Sequence, residues 1–331
     1  MEYAVERVFR PGIIDDFLKE YNLDKTYKLL GDFENYVYEV YRGKETYILR
    51  ITHSSHRSEE ELYGELDWIN FLHQHGANVS VVFPSINQNL IEKQVAEDGT
   101  IFFACLFSKV SGVPIRSNDE RFSEPFFESW GKEIGKMHRI TKEYQPDAVF
   151  RKQWFEDDLF ELEKYVPQEE LVIQQTKKVV AVLKELPREE GFGLIHNDVH
   201  NGNFFYDGKG IHVFDFDDAC YFWHVSDIAI PLYYSCYSLF PNKNMPGKEE
   251  FANRFITAFM FGYQQEMEPP KEWETLLPLF LKVRDITLYA ALHKKIATED
   301  RNELLQKRMQ DIKDRIENGE PIVLVNGRIG D

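Results

Sequence analysis

The chain of 331 residues contains little cysteine and no long apolar run. Its three cysteines, Cys105, Cys220 and Cys236, are odd in number and far apart, which excludes a disulfide framework and the paired spacing of a zinc site. We expect them to be small buried hydrophobic residues. No apolar stretch approaches the roughly 20 residues that span a bilayer, and the N-terminus lacks the pattern of an export signal. The sequence therefore predicts a soluble, cytoplasmic protein with no membrane partner.

Positive charge is also scarce in this sequence. Lysine and arginine number 39 against 56 aspartate and glutamate residues, which gives a formal net charge of −17. This excess of negative charge argues against broad binding to a phosphate backbone, so we expect no nucleic acid partner. It mildly favours a positively charged partner. The more frequent reason for such acidity is solubility. A hydrophobic fraction of 43% rules out a disordered chain, and the length suffices for two compact lobes.

Strand patterns dominate the first third of the chain. Three short runs within residues 27–51, separated by turn residues, predict an antiparallel meander. Ser58 and Glu61 match a capping box at the start of a helix that continues to about residue 75. Further strand-like runs near residues 90–95 and 101–107 complete five strands and one long helix.

Helical periodicity dominates the rest of the chain, with short strands near residues 204–205 and 211–214. Helices are predicted over residues 126–140, 155–165, 171–186, 249–267 and 273–297. The fold class is therefore α+β, with a small five-stranded antiparallel sheet lobe and one helix in residues 1–107, followed by a large, mainly helical lobe in residues 108–331. A hinge is expected just after the first lobe, where Gly112 ends the strand pattern.

A polar loop between two apolar runs carries the strongest chemical signal. The stretch His196-Asn197-Asp198-Val199-His200-Asn201-Gly202-Asn203 can aim a carboxylate and a carboxamide at one point. Phosphoryl transfer needs an aspartate that accepts a hydroxyl proton and an asparagine beside it that holds Mg²⁺, and Asp198 and Asn203 fit those roles. Asp215 follows the strand pattern of residues 211–214, so its carboxylate can leave the strand end beside the same loop and bind the principal metal ion. Hard oxygen ligands suit Mg²⁺ better than a softer metal.

These motifs resemble the aminoglycoside phosphotransferase and choline kinase-like superfamily. Its members read His-x-Asp, four residues and Asn, and then Ile-Asp-Phe, in place of the HRD and DFG motifs of protein kinases. Here the two motifs read HNDVHNGN and FDFDD. The resemblance implies a bilobal protein-kinase-like fold that uses ATP and Mg²⁺. It also implies that Asp198 is the catalytic base and that Asn203 and Asp215 are metal ligands.

The resemblance extends over nearly the whole chain and implies further nucleotide-binding residues. Residues 30–38, which include Gly31 and Asn35, resemble the nucleotide loop between the first two strands. The third strand carries Arg50 where the family has a lysine, which keeps the positive charge and permits bidentate phosphate contact. Glu65 falls where the family's helix supplies the partner carboxylate. The residues expected to offer backbone groups to adenine are Phe107, Ser108 and Lys109.

Several polar and aromatic residues near these motifs have a structural interpretation beside a functional one. His196 is expected to pack under the loop and bond to the backbone, whereas His200 is equally compatible with a structural role and with contact to phosphate or substrate. Asp217 is a further candidate for metal or substrate binding. Asp227 is expected to begin a helix and brace the loop. Residues 221–223, Tyr-Phe-Trp, could wall a substrate pocket, although core packing is the more frequent explanation.

Several acceptors for the phosphoryl group are compatible with the sequence. The leading hypothesis is a hydroxyl of a small, amino-bearing molecule, since the chain is acidic and the long helices after Glu249 can close a pocket. Residues 102–107 and 213–219 are also similar to a bacterial stress-response branch that phosphorylates protein Ser/Thr, and to type II homoserine kinase-like and spore-coat kinase-like branches. Aminoglycosides are a further option. A nucleotide-binding pseudokinase would keep the fold without turnover, but the complete set of Asp198, Asn203 and Asp215 argues against it.

Overall fold

The computed structural model describes residues 3–146, 150–189, 191–242 and 245–325. Within it the chain forms two compact units, each assembled from three stretches of sequence. The first comprises Met1–Gly112, Glu143–Arg151 and His212–Asp217, and the second comprises Val113–Lys142, Lys152–Ile211 and Asp218–Asp331. The domain division between residues 107 and 108 stays a prediction.

The first unit is built on an antiparallel sheet. Its strands are β1 (Tyr27–Gly31), β2 (Tyr36–Arg42), β3 (Glu45–His53), β4 (Val82–Phe83), β5 (Glu92–Val95) and β6 (Ile101–Ser108). The strand order is β1-β2-β3-β6-β4, with β5 also paired to β6, and every pairing is antiparallel. The predicted sheet lobe is confirmed, but it has six strands rather than five, because a two-residue strand such as β4 is too short to leave an alternating pattern.

The predicted long helix and two shorter helices accompany this sheet among the described residues. They are α1 (Tyr3–Val8), α2 (Pro11–Glu20) and α3 (Glu59–Gln74). The predicted capping box begins α3: Ser58 Oγ accepts a hydrogen bond from the Glu61 amide, and a Glu61 carboxylate oxygen accepts one from the Ser58 amide. The apolar stripe of α3 is buried and consists of Leu62, Leu66, Ile69 and Leu72. The capped start and the buried stripe together give α3 a fixed position beside the sheet.

The second unit is mainly helical. Its helices are α4 (Glu124–Thr141), α5 (Glu170–Glu185), α6 (His224–Leu239), α7 (Lys248–Gln264), α8 (Trp273–Lys295) and α9 (Glu303–Asn318). The short strands of this half of the chain are β7 (Phe192–Ile195), β8 (Phe204–Tyr206), β9 (Ile211–Val213) and β10 (Cys220–Trp223), and β7 pairs with β10 antiparallel. The predicted helical lobe is thereby confirmed.

Two glycines allow α4 and α7 to approach each other closely. A Cβ atom on Gly131 would lie 1.8 Å from the carbonyl oxygen of Phe259, and one on Gly262 would lie 1.9 Å from that of Glu128. Real Cβ atoms do not come this near to a carbonyl oxygen, so a larger residue at either position would push the two helices apart.

The prediction of a helix over residues 155–165 was wrong. Three separate single turns of 3₁₀ helix occupy this stretch, at Trp154–Glu156, Asp158–Phe160 and Leu162–Lys164. Asp157 Oδ1 accepts a hydrogen bond from the Leu159 amide, 2.9 Å away, and such a local bond competes with a continuous helix. Helix α9 was not predicted, although Leu305, Met309, Ile312 and Ile316 recur at helical spacing.

The cysteines and the membrane prediction can be compared with the structure directly. Cys105, Cys220 and Cys236 are buried and form no disulfide, as expected. Within the described ranges, none of the helices combines the length and the apolar character needed to cross a membrane.

Candidate active site

A buried ion pair joins β3 to α3 in the first unit. Arg50 Nη1 and Nη2 each donate to one carboxylate oxygen of Glu65, at 2.7 Å. Both side chains are buried, and the Arg50 guanidinium also lies 5.1 Å from the ring centroid of Phe107. Arg50 Nε is buried and has no hydrogen-bond partner. The predicted pair of Arg50 and Glu65 is therefore formed, and Nε of the guanidinium keeps an unused donor for another oxygen atom.

The predicted nucleotide loop occupies the turn between β1 and β2. Gly31 ends β1 at a register irregularity, and a Cβ atom there would meet nothing within 4 Å, so no steric demand requires glycine. Asn35 is buried, and its carboxamide oxygen has no hydrogen-bond partner. A buried polar atom without a partner costs free energy unless a ligand or water supplies one. Asn35 thus has the unsatisfied polar atom that a bound ligand could pair with.

A second polar cluster of the first unit surrounds Asp217. Its carboxylate oxygens lie 2.6 Å from His56 Nε2 and 3.2 Å from both Arg57 Nε and Arg57 Nη2. The backbone carbonyl of Asp217 accepts a hydrogen bond from Arg151. His56 Nε2 also lies 4.0 Å from Glu34, a residue of the predicted nucleotide loop. These contacts hold the chain just after Asp215 in one conformation.

The segment predicted to contact adenine lies at the end of β6. Phe107 is in register with Ile48 of β3 and Val82 of β4. Ser108 exchanges hydrogen bonds with Val81, donating from its amide to the Val81 carbonyl and accepting from the Val81 amide on Oγ, both at 2.8 Å. Lys109 pairs through Nζ with Glu39. The binding of adenine by Phe107, Ser108 and Lys109 stays a prediction.

Asp227 braces the loop that carries Asp198 in the second unit. Its carboxylate lies in the first turn of α6, is fully buried, and accepts hydrogen bonds from the amides of His196 at 2.9 Å and Asn197 at 2.8 Å. Asn197 adopts a left-handed backbone conformation with φ of 63°, which asparagine tolerates better than most residues. The expectation that Asp227 begins a helix and holds the loop agrees with this geometry.

Both carboxylate oxygens of Asp198 face donors. Asn203 Nδ2 donates to Oδ2 at 3.0 Å and to the backbone carbonyl of Asp198 at 2.9 Å. Oδ1 accepts from Arg284 Nη2 at 2.5 Å. Burial raises the pKa of Asp198 to about 6, although the positive charge of Arg284 acts in the opposite direction. Asp198 is thus a carboxylate that is ionised at neutral pH and can still accept a proton, as a general base must be.

The two histidines of the loop differ in their surroundings. His196 is fully buried, and its Nδ1 accepts from the Asp198 amide at 3.3 Å, which agrees with the structural role expected for it. His200 Nδ1 accepts from the Gly202 amide at 2.9 Å, so the ring proton is assigned to Nε2, which faces Asp198 Oδ2 at 3.4 Å. Burial lowers the pKa of His200 to about 4, so its ring is neutral at physiological pH. His200 therefore supports Asp198 in this structure as a neutral group.

Asn203 and Asp215 are the candidate metal ligands. Because Asn203 uses its Nδ2 group toward Asp198, its carboxamide oxygen is the atom left to face a cation. Asp215 has a positive φ of 65°, a sparsely populated conformation of the kind that clusters at functional sites. Carboxylate and carboxamide oxygens are hard ligands that fit Mg²⁺ or Ca²⁺. The chemistry of both residues thus fits the predicted metal, although Asn203 belongs to the second unit and Asp215 to the first.

Arg284 and Tyr234 are functional candidates that the sequence analysis missed. Arg284 lies on α8 and donates through Nη2 to Asp198 and to the Tyr234 hydroxyl, each at 2.5 Å. The sequence gives only a weak indication that Arg284 is functional. Arg284 and Asp285 are two charged residues between Val283 and Ile286, in a helix that is otherwise buried on this face. Only the packing of α6 and α8 shows which of these charges reaches Asp198.

The aromatic run at residues 221–223 belongs to the core of the second unit. Phe222 and Trp223 are buried. Trp154 lies 5.5 Å from Phe222 between ring centroids, and Phe280 of α8 lies 5.4 Å from the same ring. Of the two explanations offered by the sequence, core packing holds for Phe222 and Trp223.

Known phosphotransferases resemble this chain over most of its length. Residues 26–273 match the sequence model of the family described as "Phosphotransferase enzyme family". Amicoumacin kinase of Bacillus subtilis (strain 168) is 35% identical over 299 residues, which cover 89% of this chain and 88% of that protein. The solved structure of amicoumacin kinase hAmiN in complex with AMP-PNP, Ca²⁺ and Ami superposes with a TM-score of 0.93 at 30% identity and 98% coverage of both chains.

A microcompartment-associated aminopropanol kinase shares the fold more distantly, with a TM-score of 0.74 at 19% identity over 97% of this chain and 100% of that one. The superposition with hAmiN confirms the predicted protein-kinase-like fold. Together with the family match and the identity to amicoumacin kinase, it establishes that this chain belongs to the phosphotransferase enzyme family.

Proposed function

We propose that this phosphotransferase moves the γ-phosphoryl group of ATP to a hydroxyl of amicoumacin or a closely similar small molecule, with Mg²⁺ as its metal ion. The observation that carries the proposal is the setting of Asp198, an ionisable base held on both carboxylate oxygens, in a chain 35% identical to an amicoumacin kinase over 89% of its length. We also infer that the protein acts in the cytoplasm, where ATP is available.

Asp198 is assigned the role of the general base. It accepts the proton of the acceptor hydroxyl while the hydroxyl oxygen bonds to the γ-phosphorus and the bond from that phosphorus to the bridging oxygen of ADP breaks. A pKa near 6 suits this task, because the group is ionised before the step and basic enough to take the proton. His200 and Asn203 hold the carboxylate on the side of Oδ2.

Arg50 and Glu65 are assigned to phosphate binding. Glu65 occupies Nη1 and Nη2 of Arg50 and fixes the plane of the guanidinium, while the buried Nε, which lacks a partner, is a donor that fits an anionic phosphate oxygen. Gly31 and Asn35 are assigned to the phosphate loop, and Phe107, Ser108 and Lys109 to the adenine side. Asn203 and Asp215 would hold Mg²⁺, which when bound neutralises charge on the phosphate oxygens.

A phosphorylation panel tests the acceptor. Purified protein is incubated with ATP and Mg²⁺ and, separately, with amicoumacin, homoserine, choline, an aminoglycoside and a generic protein substrate, and each acceptor is analysed by mass spectrometry for one added phosphate. We expect transfer to amicoumacin and loss of transfer when the metal is chelated. Transfer to protein alone would contradict a small-molecule acceptor, and no consumption of ATP with any of them would favour a non-catalytic protein.

An isosteric substitution tests the base. Asp198→Asn keeps the size of the side chain but removes the negative charge and replaces one accepting oxygen by an NH2 group, so one of the hydrogen bonds from Asn203 and Arg284 is lost together with the base. We expect kcat to fall by at least about 10²- to 10⁴-fold, the usual contribution of a general base. Asp300→Asn, which alters an exposed aspartate of the second unit, is the matched control and should leave kcat unchanged. Full activity in Asp198→Asn would show that another group is the base.

A further inference from the structure

Arg284 is the cation in direct contact with Asp198. Its Nη2 atom is shared between Asp198 Oδ1 and the Tyr234 hydroxyl. The side chain is only 16% exposed, and its Nε atom is buried without a partner. An arginine in this position was not among the residues that the family motifs identify, so its role has to be derived from the contacts themselves.

Each carboxylate oxygen of Asp198 accepts a hydrogen bond from a different donor. Asn203 donates to Oδ2, and Arg284 donates to Oδ1. An aspartate carboxylate turns easily about its last torsion, since this torsion has only broad minima. Donors on both oxygens remove that freedom and fix the plane of the carboxylate. Without Arg284 only the Oδ2 side would be held, and Oδ1 could rotate away from a bound hydroxyl.

Arg284 is itself held in place by α6. The guanidinium lies over the ring of Tyr234, 4.8 Å from its centroid, and donates to the same residue's hydroxyl. Burial raises the pKa of the Tyr234 hydroxyl to about 12, so Tyr234 keeps its proton at physiological pH. A stacked and hydrogen-bonded guanidinium has few alternative rotamers, so Tyr234 sets the direction in which Nη2 points.

A second buried layer anchors the backbone of α8 at the same point. Asp285, the next residue, accepts hydrogen bonds from Arg315 Nε at 2.9 Å and Nη2 at 2.5 Å, and from the Tyr233 hydroxyl at 2.7 Å. Adjacent residues on α6, Tyr233 and Tyr234, thereby bind adjacent residues on α8. Because successive residues of a helix point in different directions, this double contact fixes both the rotation and the height of α8 relative to α6.

We propose that Arg284, oriented by Tyr234, is the positioning residue of this enzyme: it fixes the plane of the Asp198 carboxylate so that one oxygen lone pair stays aimed at the acceptor hydroxyl. The inference rests on the proposed function, because it assigns Arg284 a task only if Asp198 is the base. Arg284 acts through Asp198 and not on the nucleotide, so its loss lowers kcat and leaves the KM for ATP unchanged.

The test compares Arg284→Ala and Arg284→Lys with wild type, using whichever acceptor the wild-type enzyme phosphorylates. A misplaced reacting group costs on the order of 100-fold, so we expect kcat of Arg284→Ala to fall by about that factor with the KM for ATP within about twofold. Arg284→Lys should be intermediate, since an ammonium keeps the charge but lacks the fork and the stacking plane. Guanidinium ion added at a non-denaturing concentration should restore part of the activity of Arg284→Ala only.

Two further variants complete the experiment. Tyr234→Phe removes only the hydroxyl that Arg284 contacts, so it tests the same idea if Arg284→Ala does not fold. We expect a loss of roughly tenfold in kcat, which corresponds to one hydrogen bond. Arg308→Ala is the matched control, because Arg308 stacks on Tyr237 of α6 at 4.4 Å in the same way but does not contact Asp198. Its kcat should equal that of wild type.

The outcomes separate this inference from the proposed function. If the wild-type enzyme is active and Arg284→Ala and Tyr234→Phe have the same kcat as wild type, the role of Arg284 is overturned and Asp198 remains the base. A higher KM for ATP at normal kcat in Arg284→Ala would mean that Arg284 binds nucleotide. A loss of kcat in Arg284→Ala that guanidinium ion does not restore would mean that Arg284 only supports packing. Either result overturns the inference. If wild type transfers phosphate to no acceptor, the proposed function itself is wrong.

Discussion

The buried pair of Arg50 and Glu65 allows the stabilising and functional roles of one ion pair to be separated. Arg50→Met removes the guanidinium but keeps an apolar chain of similar length. Glu65, which is fully buried, would then be left with a charge and no partner. Breaking a buried ion pair on one side costs about 3–5 kcal/mol, so we expect the free energy of unfolding of the first unit to fall by that amount.

The double variant Arg50→Met with Glu65→Leu gives the decisive comparison. Replacing both members of a buried pair by apolar residues is commonly neutral or stabilising, so the double variant should recover most of the loss. It should not recover ATP binding, because the phosphate donor is still missing. Arg50→Lys, which keeps the charge but cannot form two parallel hydrogen bonds, should lie between wild type and Arg50→Met in stability.

Urea unfolding provides the assay and is monitored by tryptophan fluorescence, to which the first unit contributes Trp68, a buried residue that packs against Phe216. The matched control is Arg10→Met, because Arg10 pairs with Glu97 in an exposed position where an ion pair contributes at most about 1 kcal/mol. The reasoning is refuted if Arg50→Met costs no more than Arg10→Met, or if the double variant is as unstable as Arg50→Met alone.

Three further changes have definite expected outcomes. Burial raises the pKa of Asp198 to about 6 in the free protein, so the base becomes protonated and kcat/KM should fall as the pH drops through about 6; a profile of kcat/KM that is flat between pH 7 and pH 5 would contradict this. Gly131→Ala should lower the free energy of unfolding, measured by urea denaturation, by about 1–3 kcal/mol, because the added methyl group meets a backbone carbonyl of α7. Gly12→Ala is the control and should slightly stabilise the protein, because there is open space around Gly12. Arg315→Met should cost about 3–5 kcal/mol in the same assay, since it leaves Asp285 buried without its cation; a loss below 1 kcal/mol would show that the pair is not desolvated.

The elements that were predicted well are those with a local signal. Helix α3 was predicted because the capping box of Ser58 and Glu61 and the apolar stripe that follows involve residues only a few positions apart. The stretch at residues 155–165 misled the prediction, because its apolar spacing suits a helix while the Asp157 side chain accepts a hydrogen bond from the Leu159 amide. A two-residue strand such as β4 has no periodicity to detect and exists only because β6 offers it a partner.

The predictions about the site also succeeded where the signal in the sequence is local. Asp198, Asn203 and Asp227 were assigned correctly to one loop and its brace, since short spacing and motif order place them there, and the contact of Arg50 with Glu65 followed from the family resemblance. The assignments of individual residues to adenine, phosphate and metal stay predictions.

By itself the sequence determined the class of fold, the order of the sheet and helical lobes and the family, and it predicted that Asp198 acts as the base. These depend on periodicity, turn residues and motif spacing, which are properties of neighbouring positions along the chain. Only the tertiary structure decided that Arg284, distant in sequence, reaches Asp198, and that Tyr234 holds it there. The physical reason is that an ion pair between helices depends on how α6 and α8 rotate as their apolar faces pack, and no local pattern records that rotation.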